Sequence, residues 1–93
     1  MTYKPNPIDT SNINLSKEIK NVTEVLAKNI LENWSAQRIS DGWQYGPKRD
    51  DIRKEHPSLV PYDKLSESEK DYDQITVTET IKTLIALGYT IKK

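Results

Sequence analysis

The chain has 93 residues, 30% of them charged and 34% apolar, with acids and bases balancing to zero net charge. This length makes one domain, residues 1–93, with a limited core. The balance excludes the basic excess that nucleic-acid polymers or a polybasic membrane anchor require. There is no cysteine, so disulfides and thiolate metal sites are excluded as well.

Residues 1–13 read as an extended arm. Pro5 and Pro7 lack amide donors and push the residue before each away from helix. Asp9, Thr10, Ser11 and Asn12 form turns, while Tyr3 and Ile8 supply apolar anchors. A long amphipathic helix is expected over about 16–41. Ser16 is its N-cap and Glu18 favours the positive dipole end. Ile19, Val22, Leu26, Ile30 and Trp34 form one stripe, widened by Val25, Ala27, Leu31 and Ile39. Gly42 is the left-handed stop.

An irregular connector follows over 42–65, punctuated by Gly42, Gly46, Pro47, Pro57 and Pro61. A short helix is expected within Lys48–Glu55, ended by His56-Pro57. The second long helix is expected over 66–87. Ser66-Glu67-Ser68-Glu69 fits a capping box. Tyr72, Ile75, Ile81, Leu84, Ile85 and Leu87 make its stripe, and Gly88 closes it. The β-branched Thr76, Val77 and Thr78 predict a kink. Tyr89–Ile91 is expected as a short strand beside the arm. The fold class is therefore mainly α: two long helices, an irregular connector with a short helix, and short extended strands at the termini.

Residues 34–62 concentrate the chemistry. They hold Trp34, Trp43, Tyr45, Tyr62 and all of the arginines: Arg38, Arg49 and Arg53. Arginine's planar fork grips carboxylate or phosphate and stacks on rings, which lysine does not do. Trp34 and Arg38 are four apart on one helix and so share a face. Aromatic faces beside guanidinium forks suit a pocket for a planar anionic ligand. Two other readings fit the same residues: a core built around two tryptophans, and an interface hot spot. Arg38 also fits a structural ion pair with Glu69 or Asp73.

Catalytic and metal templates fail. An EF-hand starting at Asp71 would need Gly where Thr76 stands and Glu where Lys82 stands. Gly42–Arg49 lacks the phosphate-loop spacing, because Pro47 replaces the second Gly. No nucleophile elbow occurs. The single His56 has no second His at zinc spacing. The sequons at Asn21 and Asn33 fall within the predicted helix. An enzyme is therefore the weakest reading, and no metal or cofactor is expected. The chain has no signal-peptide apolar region and no run near the ~18 residues of a membrane span. A cytoplasmic protein without a membrane partner is expected.

The assembled motifs resemble the RyR domain, the repeat of ryanodine receptor channels. They are Y-x-P-x-P-I-D-T at Tyr3–Thr10, W-x-x-x-R-I at Trp34–Ile39 and G-W-x-Y-G at Gly42–Gly46. They continue as H-P-x-L-V-P-Y at His56–Tyr62, E-K-x-Y-D at Glu69–Asp73 and E-T-I-K-T-L-x-A-L-G-Y at Glu79–Tyr89. The resemblance implies two helix–loop–helix halves with short strands, and a free-standing copy of the kind found in bacteria and phages. It also implies recognition of a nucleotide-like small molecule through the W-x-x-x-R element, which is Trp34 and Arg38 here. Trp43, Tyr45, Arg49, Tyr62 and Lys70 join the candidate cleft by resemblance and residue type. The channel repeats are paired, so a homodimer is the arrangement that would supply the missing neighbour. A protein-interaction or scaffold role is the alternative.

Overall fold

The computed structural model describes residues 2–93; Met1, the first residue of the predicted arm, lies outside the described residues. In chain order the elements are α1 (Lys17–Lys20), α2 (Thr23–Ser40), β1 (Gln44–Tyr45), β2 (Glu55–His56), a 3-10 turn (Tyr62–Lys64) and α3 (Glu67–Ala86). The chain is mainly helical, with two long helices, as its periodicity requires.

The first expected helix is two helices. Ser16 caps α1 by accepting the Ile19 amide at 3.2 Å. The helix stops after one turn, where Val22 turns out of helical geometry at φ −104° and ψ 0°. The Thr23 hydroxyl then donates to the Lys20 carbonyl at 2.9 Å. That bond satisfies an orphan carbonyl of α1 and lets α2 start afresh. Val22 is exposed, and so are Val25, Leu26, Ile30 and Ile39 of the expected stripe; Ala27 and Leu31 are its buried members.

α2 ends as predicted at Gly42, whose φ is +93°. The Gly42 amide donates to Ile39 O at 3.0 Å and the Trp43 amide to Arg38 O at 2.9 Å. This is a Schellman motif, which needs a left-handed residue that glycine adopts without strain. α3 closes the same way: Gly88 donates to Ile85 O at 3.0 Å and Tyr89 to Leu84 O at 3.1 Å. At its start, Ser66 accepts the Glu69 amide at 3.2 Å. α3 runs unbroken through 76–78. The Thr76 and Thr80 hydroxyls donate to the carbonyls of Tyr72 and Thr76 at 2.9 and 2.7 Å, giving β-branched side chains a satisfied helical rotamer.

The strands lie in the connector, not at the termini. β1 and β2 are parallel, with Gln44 opposite Glu55 and Tyr45 opposite His56. The stretch expected to form a short helix instead folds into the loop that brings β2 back. Asp50 and Glu55 exchange backbone bonds of 2.9 Å, and the Asp50 carboxylate accepts the Ile52 and Arg53 amides at 3.0 Å. The connector's short helix is the 3-10 turn after Pro61. At the N-terminus the prolines cannot donate to a ladder, and a side chain holds the arm: Thr10, buried, donates to Glu79 of α3 at 2.7 Å.

The core lies between α2, α3 and the 3-10 turn. Ala27 and Leu31 of α2 meet Tyr62, Leu65 and Val77, with Trp34, Val60 and Ile81 packed around them. Tyr62 is 3% exposed, and its hydroxyl accepts from Gln74 Nε2 at 3.1 Å. No helix among the described residues is long and apolar enough to cross a membrane.

Of the three glycines, Gly46 is the most closely approached. A β-carbon there would sit 2.5 Å from Glu55 Cβ, against the neighbouring strand. Overpacking of this kind costs about 1–3 kcal/mol. Gly46→Ala is expected to lower the urea midpoint by a corresponding amount at unchanged slope; a wild-type midpoint would contradict the packing described.

Candidate functional site

The Schellman turn at Gly42 shapes the site. By tying the Trp43 amide to the Arg38 carbonyl, it folds the Trp43 side chain back along the last turn of α2. The Arg38 guanidinium then lies 4.8 Å from the Trp43 ring centroid and 5.5 Å from that of Trp34, one helical turn away. Both distances are within the ~6 Å reach of a cation–π contact. All three side chains are half-buried. Among the described residues Arg38 enters no salt bridge, so the ion pair with Glu69 or Asp73 is not formed.

β2 delivers the next member. His56 meets Trp34 edge-to-face, with ring centroids 4.9 Å apart at 76°, and lies 6.3 Å from Trp43. Its Nδ1 accepts the Ser58 amide at 3.0 Å, which puts the proton of the neutral ring on Nε2. Burial holds the imidazole below its ordinary value, and the nearby Arg49 and Arg38 charges reinforce this.

Beside Trp34 a cavity of about 290 Å³ opens between α2 and α3. Ile30, Leu31, Leu65 and Tyr72 give it an apolar lining; His56, Ser58, Glu69 and Asp73 supply the polar groups. The Ser58 hydroxyl donates to Glu69 at 2.6 Å, and this bond above all holds the Glu69 carboxyl below its ordinary value. Asp73 moves the other way: burial raises it, with Glu69 adding repulsion. The cavity is thus an apolar, acid-tipped slot with one indole wall. The cationic groups stand outside it. Among the described residues no cluster of three or more acids and histidines is placed to hold a metal.

The seven residues singled out from sequence therefore separate. Trp34, Arg38 and Trp43 form one cluster, but only Trp34 lines the cavity. Arg49 is exposed and bonded to Asp51 at 2.9 Å, near enough to act on His56. Tyr45 is 57% exposed on β1. Tyr62 belongs to the core. Lys70 lies 5.7 Å from the Tyr62 ring and 3.5 Å from Glu67. His56, Ser58, Glu69, Tyr72 and Asp73 were not singled out as site residues. Glu69, Tyr72 and Asp73 did carry a signal, the E-K-x-Y-D motif, and Glu69 also the capping box; His56 did so through the H-P-x-L-V-P-Y motif, in which Ser58 is the unspecified position.

The depressed imidazole has a consequence for stability. The unfolded chain takes up a proton near the ordinary value of 6.5, before the folded chain does. The neutral ring's contribution is complete above that value and is lost as pH falls through it. Wild-type urea midpoints are expected to fall between about pH 7.5 and 5.5, with a flatter profile for His56→Gln. Equal slopes for both proteins would contradict a neutral, half-buried His56.

The motifs that carry the resemblance all map onto this architecture. Of the three helical motifs, W-x-x-x-R-I and E-K-x-Y-D contribute cavity walls, and the two connector motifs bring Trp43 and His56 to the aromatic cluster. The family model of the RyR domain matches residues 3–93. The chain belongs to the RyR domain family.

Proposed function

We propose that this RyR domain is a non-catalytic, cytoplasmic ligand-recognition module for a nucleotide-like small molecule. The observation that carries the reading is the double role of Trp34. Its indole walls an open cavity and at the same time neighbours the Arg38 guanidinium, 5.5 Å from the ring centroid. A planar base would lie against the indole inside the slot. An exocyclic amine on that base would donate to the Glu69 and Asp73 carboxylates, which are acceptors with no other cation beside them in the lining. A phosphate is repelled by those carboxylates and would face the Arg38 side, with Arg49 beyond it. Polarity thus runs along the site: amine end inward, anion end outward. Neither a nucleic-acid polymer nor a membrane surface suits a neutral chain with a slot of this size.

A second reading, a protein-interaction or scaffold module, is favoured by the amount of apolar side chain left outside. Ile52 is 96% exposed and Tyr72 71% exposed. Co-purification of one protein partner that masks Trp43 and Arg38 would favour it over the ligand reading.

Calorimetry with adenosine mono- and triphosphate, a dinucleotide and a cyclic oligonucleotide separates the two. Wild type is expected to bind at least one of these. Arg38→Ala and Trp34→Leu should weaken it by about tenfold or more, whereas Tyr45→Ala should leave it unchanged. Absence of binding to every compound, or wild-type affinity in Arg38→Ala, would overturn the assignment.

A further inference from the structure

The cavity beside Trp34 is small. Its volume of about 290 Å³ is at the lower bound of ligand sites, which suits a base with its sugar and phosphate left outside. The polar groups of the lining then decide which base is held. Its two carboxylates are not equivalent. Glu69 Oε2 accepts the Ser58 hydroxyl at 2.6 Å, and Oε1 accepts the Ser66 hydroxyl at 3.1 Å. Among the described residues Asp73 accepts no side-chain hydrogen bond and enters no ion pair. It is half-buried, one helical turn from Glu69. Burial and the Glu69 charge both disfavour its ionised form. Donors brought by a guest would relieve a charge that the chain itself leaves unanswered.

A carboxylate with both oxygens unoccupied takes two donors side by side, as it does from an arginine fork. Among the common purines, guanine has that pattern. Its ring N–H and its 2-amino group are neighbours on the edge that lies away from the ribose, the edge by which proteins read an unpaired base. Adenine presents an amine beside a bare ring nitrogen, so one carboxylate oxygen would face a lone pair. Hypoxanthine keeps the ring N–H but has no amine. The guanine carbonyl on the same edge needs a donor, and the His56 Nε2–H is one in the lining. The direction agrees as well. With that edge at Asp73, the ribose and phosphate leave from the opposite end of the ring, outside the cavity, where the Arg38 guanidinium stands beside Trp34.

We infer that the cavity prefers the base of a guanine nucleotide, whose ring N–H and 2-amino group donate to the two oxygens of Asp73. This rests on the ligand-recognition reading and narrows it from a nucleotide-like molecule to one base. Asp73 is the residue that sets the preference. Glu69, held by two serines, adds negative charge for the same edge. Arg38, assigned to the phosphate, is indifferent to the base.

Calorimetric titration of the whole chain with the monophosphates of guanosine, inosine and adenosine tests the preference. Guanosine monophosphate is expected to bind about tenfold or more tighter than the other two, which enter the same site more weakly. Asp73→Asn is isosteric and removes a charge beside Glu69, so the helical circular dichroism should be unchanged. Its amide offers one acceptor and one donor, the complement of the adenine edge. The variant should therefore lose about tenfold or more in affinity for guanosine monophosphate, yet bind adenosine monophosphate no worse than wild type does. Wild-type affinity for adenosine or inosine monophosphate equal to or above that for guanosine monophosphate overturns the guanine assignment but not the recognition reading. A guanosine preference that survives Asp73→Asn overturns the role of Asp73. Absence of binding to all three overturns both the assignment and the reading beneath it.

Discussion

Gly42 adopts a backbone conformation that residues with a β-carbon reach only with strain, and the aromatic cluster follows from it. The left-handed turn ends α2 and returns the Trp43 amide to the Arg38 carbonyl. Arg38 is thereby placed beside two indoles instead of extending into water. The parallel pairing of β1 with β2 begins two residues later and carries His56 onto Trp34. The close fit of Gly46 against Glu55 keeps that pairing tight. A helix stop, a two-residue ladder and one missing β-carbon thus convert a loop into a wall of the site.

Electrostatics then divides the site in two. Glu69 is kept ionised by hydroxyls from Ser58 and Ser66, and Asp73, half-buried beside it, is pushed upward. Arg38 and Arg49 stand outside the cavity lining and disfavour protonation of His56. Cationic charge beside the Trp34 indole and acidic charge in the cavity that it lines would give a guest a direction to lie in. The apolar lining supplies desolvation, and the few polar groups supply orientation. An indole sealed in the core would do neither. Trp34 packs on the core with one part of its surface and borders open space with another.

Much of the fold was legible in the sequence because helix ends are written locally. Ser16, Ser66, Gly42 and Gly88 mark their boundaries with side chains or torsions that act within one turn. The break at Asn21–Val22 was not legible, since the apolar stripe runs straight through it. The β1–β2 pair was not legible either: two residues show no alternation, and their pairing depends on the loop fold at Asp50–Glu55. For the site, the Trp34–Arg38 juxtaposition was readable from a spacing of four on one helix. The cavity was not. Its polar groups arrive from β2, the connector and α3, and apart from Glu69 and Asp73, four apart on α3, nothing in their order along the chain places them together. Tyr62, chosen by residue type, proved to be the aromatic that fills the core, because the 3-10 turn after Pro61 directs it inward.

The central claim is that the Trp34 indole and the Arg38 guanidinium are open together to one guest. Nitrogen–proton NMR of the side chains, during titration with adenosine monophosphate, tests it most directly. The account predicts that the Trp34 Nε1–H and Arg38 Nε–H signals move together with a single midpoint, with His56 following and Tyr45 unmoved. Signals of Trp34 and Arg38 that stay fixed while other residues respond, or that respond with separate midpoints, would contradict it.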